Sequence, residues 1–323
     1  PPLVPAPQGG LTGVAADRRT RLLVGLGCLA LVAASCGGSS PSPPAAAGRG
    51  SPSSQPAAAS PGSASHVLVL LEENRDYATV IGSSEAPFLN GLAEDHGLAT
   101  DWHAITHPSL PNYLAIVSGS VQGVSEDVTP PAEKLPGPTF VDQLAQRGVG
   151  WKAYVEDMPY PCDTTHTYSP GHYDVNHNPF VYFKSVTSSP EQCHRVVPYG
   201  QLAADLAGGA APPFLWVSPN TLHDMHDGTI AEADDWARDL VTRVQASDWY
   251  RNGGTIVITW DEGERGDRIA TIVVSTRAAK GARLTARGNH YGTLRALEEI
   301  YGLPYLAAAG DPSNGDLRPL FGG

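Results

Sequence analysis

Basic residues are scarce in this chain: 21 Lys and Arg stand against 33 Asp and Glu over 323 residues, a formal net charge of −12. No basic run follows Arg21. This excludes nucleic acid, or an anionic bilayer face, as a partner held through clustered Lys and Arg. Cysteine is scarce too, with four in all, and only Cys162 and Cys193 lie beyond the first 65 residues. Two thiols in an exported chain most often pair, here closing a loop of about 30 residues. A two-cysteine metal site is the weaker alternative, because the CxxC spacing is missing. Membrane-length apolar runs are missing as well: Leu22 to Ala34 falls short of the about 20 residues that a span needs.

What is present begins with a leader. Arg18, Arg19 and Arg21 precede the apolar run Leu22 to Ala34, which ends in Ser35 and Cys36, the pattern of a secretory signal. VAASC resembles a bacterial lipoprotein cleavage box with Cys36 as the lipidated residue, simple cleavage being the alternative. Residues 37–65 are almost entirely Gly, Ser, Pro and Ala and have no apolar surface to bury. They are expected to form a disordered tether. The expected organisation is therefore a signal segment over 1–36, a tether over 37–65 and one substantial folded domain over 66–323. The protein is expected to be secreted or anchored at the cell surface, touching a membrane only through Cys36.

Val67 to Leu71, Phe214 to Val217, Thr255 to Ile258 and Thr271 to Val274 are continuous apolar runs, which suit strands buried on both faces of a parallel sheet. Helix-like stretches lie between them, at Ala86 to His96, Tyr113 to Ser118, Phe140 to Arg147, Ile230 to Gln245 and Tyr291 to Tyr301. Alternating strands and helices imply an α/β three-layer sandwich with a largely parallel central sheet flanked by helices. The segment from about 160 to 198, rich in Tyr, His, Asn and Pro around the two cysteines, fits neither pattern. It reads as a stapled insertion beside the site.

Potential ligands follow each buried strand. Glu72, Glu73 and Asn74 follow the first; Pro219, Asn220, His223, Asp224 and His226 follow FLWVS; Asp261 and Glu262 follow TIVIT. In an open α/β sheet ligands bind beyond the carboxyl ends of the strands, so these groups reach one rim from distant parts of the chain. Carboxylates with an Asn carbonyl suit Ca²⁺, Mg²⁺ or Mn²⁺, and added His shifts the balance toward Zn²⁺ or Fe. In ITHPSLPNYLAIVSGSVQG, residues 105–123, Ser109 and Pro111 precede an apolar run and mark a loop turning into a helix. Ser109 is there either an ordinary N-cap or a nucleophile, because free N–H groups and the positive helix end stabilise a bound anion.

These segments together resemble the bacterial phosphoesterase family that includes secreted acid phosphatases and phospholipase C enzymes, a branch of the alkaline phosphatase superfamily. The likeness is carried by LLEENRDY at 70–77, APFLN at 86–90, THPSLPNYLAIVSGS at 106–120, HNPFVYF at 177–183, VSPNTLHDMHDG at 217–228, TWDEGE at 259–264 and HYGTLRALEEIYGLP at 290–304. SLPN is similar to the TFPN of nucleotide pyrophosphatase relatives. The resemblance implies Ser109 as nucleophile, Asn112 as a donor to a phosphate oxygen, and Glu73, Asn74, Asp261 and Glu262 as metal ligands. It implies roles for Asp224, His226 and His290 at a second metal site or on the leaving group, and makes His107 a phosphate-facing candidate. TWDEGE lacks the longer continuation of phospholipase C members, so the likeness does not extend to lipid specificity.

The expected function is thus metal-dependent hydrolysis of small phosphomonoesters through a phosphoserine. A phosphodiesterase of phospholipase C type is the alternative within the enzymes, and a surface-tethered phosphate-binding protein without turnover the alternative outside them. An acidic chain that handles phosphate needs local positive charge, and a metal ion is the obvious source.

Overall fold

Each of Val67, Leu68, Val69, Leu70 and Leu71 is buried, so the strand they form is covered on both faces and lies inside a sheet. That strand, β1 (His66–Glu72), is hydrogen-bonded in parallel to β5 (Phe214–Ser218) on one side and β6 (Gly254–Trp260) on the other. The computed structural model describes residues 65–131, 133–165 and 171–322, which belong to one unit of the chain. The signal segment, the tether and Cys36 lie outside the described residues.

Beyond β5 the sheet continues through β3 (Trp151–Val155) to β4 (Val196–Pro198), both parallel. Beyond β6 come β7 (Arg268–Ser275), then β2 (Gly97–His103), with the two-residue strands β8 (Arg283–Leu284) and β9 (Gly288–Asn289) pairing with β2. Only β7, among the described residues, runs against the rest, being antiparallel to both β6 and β2. The carboxyl ends of β1, β2, β3, β5 and β6 therefore share one rim.

The helices that flank the sheet are α1 (Pro87–Asp95), α2 (Ser109–Ser118), α3 (Phe140–Gln146), α4 (Ile230–Gln245) and α5 (His290–Ile300). The fold is the expected α/β sandwich. Helix α1 packs on α4, and α2 packs on α5. In α4 a capping box between Thr229 and Glu232 fixes the start, and Ala237, Leu240, Val241 and Val244 form the buried stripe. Every residue of α2 is buried, polar ones included. It begins four residues before the expected start, because Pro111 falls in the first turn, where an N–H has no intrahelical partner to lose. Gly119 ends it with φ 70°, and a Cβ there would lie 2.2 Å from the Leu306 carbonyl oxygen. Only glycine fits that approach.

Two central features escape the apolar-run pattern. β2 (GLATDWH) carries polar residues at its centre and a register shift between Ala99 and Trp102, so it does not read as a buried strand. β3 (WKAYV) is short, and Lys152 interrupts its apolar run. The stapled insertion is also more than an appendage: its last residues are the edge strand β4, and Phe180, Val181, Tyr182 and Phe183 are buried in the core.

Cys162 and Cys193 form a disulfide with Cα atoms 5.3 Å apart, tying the chain after β3 to the chain before β4. A cross-link over a loop of this size contributes roughly 3 kcal/mol, mainly by restricting the unfolded chain. The Cys162→Ser, Cys193→Ser double variant is therefore expected to unfold at lower urea, by about 2–4 kcal/mol in the extrapolated free energy. An unchanged midpoint would show that the packed aromatic residues hold the insertion without it.

Candidate active site

Backbone bonds just past the strand ends fix the acidic residues in space. The Glu73 N–H donates to the Asp224 carbonyl at 2.7 Å, the Asp261 N–H to the Glu72 carbonyl at 2.9 Å, and the Glu156 N–H to the Ser218 carbonyl at 2.9 Å. Asn74 then turns the chain away with φ 47°, a left-handed conformation that Asn tolerates better than most residues. Its N–H donates to Asp261 Oδ1 at 3.2 Å.

Helix α2 delivers Ser109 to this rim. Ser109 is not the N-cap: Pro108 holds that position and Ser109 is the first helical residue. Its hydroxyl donates instead to Glu73 Oε2 at 2.9 Å. Asn112, in the same turn, is a brace. Its Oδ1 accepts from the Ile105 and Thr106 N–H groups at 2.9 and 3.2 Å, while its Nδ2 donates to the carbonyls of Thr106 and Pro108 at 2.8 and 3.2 Å and reaches Glu262 Oε2 at 3.4 Å. The 105–108 turn is thus tied to the helix that carries Ser109. The Thr106 hydroxyl donates to the His107 carbonyl and engages no site carboxylate.

His177 lies in the stapled insertion, within HNPFVYF, and is not among the expected ligands. It is buried, with Nδ1 at 3.0 Å from Asp224 Oδ2 and Nε2 at 3.5 Å from Glu73 Oε1. Its ring stacks on Tyr113, with centroids 5.4 Å apart. The sequence signal for it was the His in HNPFVYF, which no spacing rule connects to Glu73 or Asp224. His226 donates its backbone N–H to Asp224 Oδ1 at 2.8 Å and sets Nδ1 at 2.9 Å from Asp227 Oδ1, its ring 5.8 Å from that of His177. His107, half exposed, pairs through Nδ1 with Glu262 Oε2 at 2.9 Å. His290 is not the cap of α5, a place taken by Asn289; its Nε2–H donates to the Asp261 carbonyl.

A model of the phosphoesterase family matches residues 83–304. A phosphatidylinositol-3-phosphatase of Mycobacterium tuberculosis is 33% identical over 243 residues, 74% of this chain and 78% of that protein. The chain belongs to the phosphoesterase family. It is a hydrolase of phosphoric esters. A probable acid phosphatase of Kluyveromyces lactis is 27% identical over 74% of this chain, and an acid phosphatase of Aspergillus fumigatus 28% identical over 72%. The chain spans only 58% and 54% of those two proteins. Among solved structures, an alkaline phosphatase superfamily protein of Vibrio parahaemolyticus superposes with a TM-score of 0.52 at 12% identity, over 76% of this chain and 68% of the other. The phosphonate monoester hydrolase of Silicibacter pomeroyi gives 0.54 at 12% identity, over 80% and 76%. These two likenesses concern the fold alone.

The acids of this phosphoesterase are held at a cost. Burial, with the charges of Asp261 and Asp224, pushes Glu73 well above the ordinary carboxyl range. Burial raises Asp224 and lifts Asp261 to about 6. Burial, then the charges of Asp261 and Asp127, pushes Glu262 up to about 9. Burial opposes a charge on His177, but its bond to Asp224 and the surrounding carboxylates outweigh that and raise it to about 9. His290 faces the opposite outcome, burial dropping it to about 4. Glu73 Oε1, Asn74 Oδ1, Asp261 Oδ2 and His290 Nδ1 are buried without a hydrogen-bond partner. Ligand atoms of Glu73, His177 and Asp224 lie within 4.8 Å of one another. Crowded carboxylates with unused oxygens, an amide oxygen and imidazoles fit a divalent cation.

A carboxyl whose folded pKa is raised binds its proton more tightly in the folded state. Its contribution to stability is complete below the ordinary carboxyl value and is lost as pH rises through the folded value. The His177 contribution, raised from 6.5 to about 9, is likewise lost on the alkaline side. With divalent ions chelated, the thermal midpoint is expected to fall as pH rises from 6 to 9, the window set by Asp261, Glu262 and His177. Glu262→Gln should flatten the upper part of that decline. A midpoint independent of pH would mean that the carboxyls are not crowded in the folded protein.

Proposed function

We propose that this chain is an exported, metal-assisted phosphomonoesterase of acid phosphatase type that works through a phosphoserine at Ser109. The observation that carries the reading is the 2.9 Å hydrogen bond from the Ser109 hydroxyl to a buried carboxyl, Glu73, at the head of a buried helix. A serine placed so, next to a group of raised basicity, is an activated nucleophile.

Ser109 Oγ attacks phosphorus while its proton passes to Glu73 Oε2. The ester P–O bond breaks, and the leaving alkoxide takes a proton from a histidine at the mouth. His226 and His107 have the access for this step, with side chains 29% and 49% exposed. His290 is buried and neutral at mildly acidic pH, which leaves it to position the Asp261 main chain. Water then attacks the phosphoserine and gives a proton back to the histidine, a new P–O bond forms, the P–Oγ bond breaks, and Oγ recovers its proton from Glu73. Ester and water become alcohol and inorganic phosphate. Asn112 keeps the 105–108 turn and Ser109 in register through both steps.

Glu73 Oε1, Asn74 and Asp261 would hold a divalent cation, with Glu262, Asp224 and His177 beside them, and it would supply charge neutralisation for a phosphate oxygen and for the nucleophile. The disulfide suits an oxidising compartment, in keeping with the signal segment and with attachment through Cys36.

Phosphate release from an aryl phosphomonoester is expected to fall at least about a thousandfold in Ser109→Ala and to be abolished by chelation and restored by a divalent ion. Asn112→Ala should lose roughly tenfold to a hundredfold in kcat through misplacement of the nucleophile. Full activity of Ser109→Ala would overturn the nucleophile assignment. The same assay on a bis-aryl phosphodiester and on phosphatidylinositol 3-phosphate vesicles separates a diesterase or lipid-headgroup preference from a general monoesterase.

A further inference from the structure

The amide next to the nucleophile is already in use. The Leu110 N–H, first after Ser109, donates to Asp127 Oδ1 at 2.9 Å. Pro108 and Pro111 have no N–H, so the first turn of α2 offers few donors to an incoming phosphate, and the Leu110 amide is one of them, beside that of Ser109 itself. Asp127 is exposed, and this is the only hydrogen bond of its carboxylate among the described residues. It belongs to a stretch, 121–131, without helix or strand. That stretch is fastened to the body by the buried Tyr182 hydroxyl, which donates to the neighbouring Val128 carbonyl at 2.6 Å. The Asp127 charge also bears on Glu262, which sets it on the same side of the rim as the catalytic acids.

We infer that Asp127 is an internal anion that occupies the phosphate-binding amide beside Ser109 and weakens the binding of phosphate groups there. This rests on Ser109 being the site of phosphoryl transfer. A carboxylate is shaped and charged to imitate two oxygens of a phosphate at a helix start. A phosphate group must displace it or bind beside it against like-charge repulsion. In either case the apparent affinity is reduced by the fraction of molecules in which the amide is free. The product, inorganic phosphate, carries the same charge and needs the same amide, so the device limits product inhibition as well as substrate affinity.

The test is the binding of inorganic phosphate to the full chain by calorimetry, in a Ser109→Ala background with Asp127 intact, Asp127→Asn or Asp127→Ala. Phosphate is expected to bind roughly threefold more tightly to the Asn variant and roughly tenfold more tightly to the Ala variant. Glu126→Gln, an exposed neighbour, should change neither. With Ser109 intact, the inhibition constant of inorganic phosphate against an aryl phosphomonoester should drop in the same order. A merely structural Asp127 that caps α2 would instead lower the thermal midpoint and leave phosphate affinity unchanged, and that result would overturn the inference. Weaker binding in both variants, or no phosphate binding in any, would overturn it equally. Absence of turnover by the protein with Ser109 intact would fail the phosphomonoesterase reading alone, since the binding series does not depend on it.

Discussion

The constraint on which the site depends is the confinement of like charges. Glu73, Asp224 and Asp261 are fully buried and Glu262 nearly so, and Glu73 accepts a hydrogen bond from the hydroxyl of Ser109. Carboxylates gathered this way cannot all ionise at neutral pH without a counter-charge: burial comes first in raising Glu73, Asp261 and Glu262, and neighbouring carboxylates add to the shifts of Glu73 and Glu262. Among the described residues, His177 lies between Asp224 and Glu73 as a cationic partner. The remaining imbalance is what makes a divalent cation chemically suited to the place. A core that simply maximised stability would not keep these groups.

Holding them there takes a rigid frame, and the frame is the parallel sheet. The backbone bonds from Glu73 to Asp224 and from Asp261 to Glu72 leave each acid little freedom to move away from its neighbours. On the opposite side of Ser109, the Asn112 amide and the wholly buried α2 fix the nucleophile. Repulsion among the carboxylates is therefore resisted by hydrogen bonding and packing that lie outside the charged cluster. The Gly119 turn against the Leu306 carbonyl locks the far end of the same helix.

Much of this was legible in the chain. Unbroken apolar runs located β1, β5, β6 and β7, since only a strand covered on both faces needs them. Helix α4 matched its 3.6-residue periodicity from Ile230 to Gln245. The donors after each strand converged because parallel strands end at one rim. β2 and β3 were not legible, because their residues are set by the neighbours they pair with and not by a pattern of their own. The reversed direction of β7 was equally hidden, since an apolar run has no sense of direction.

By itself, then, the sequence determined the layered α/β architecture, the acidic donor set at the strand ends and a serine at a helix start, all of which follow from local periodicity and chain order. The tertiary structure alone decided that His177 bridges Glu73 and Asp224, that Asn112 braces the 105–108 turn, that His290 turns inward against Asp261, and that Asp127 sits on the Leu110 amide. Those pairings join residues 4 to 104 positions apart. Local pattern is silent about them because hydrogen bonds and charges act over distance in space, which only the folded chain defines.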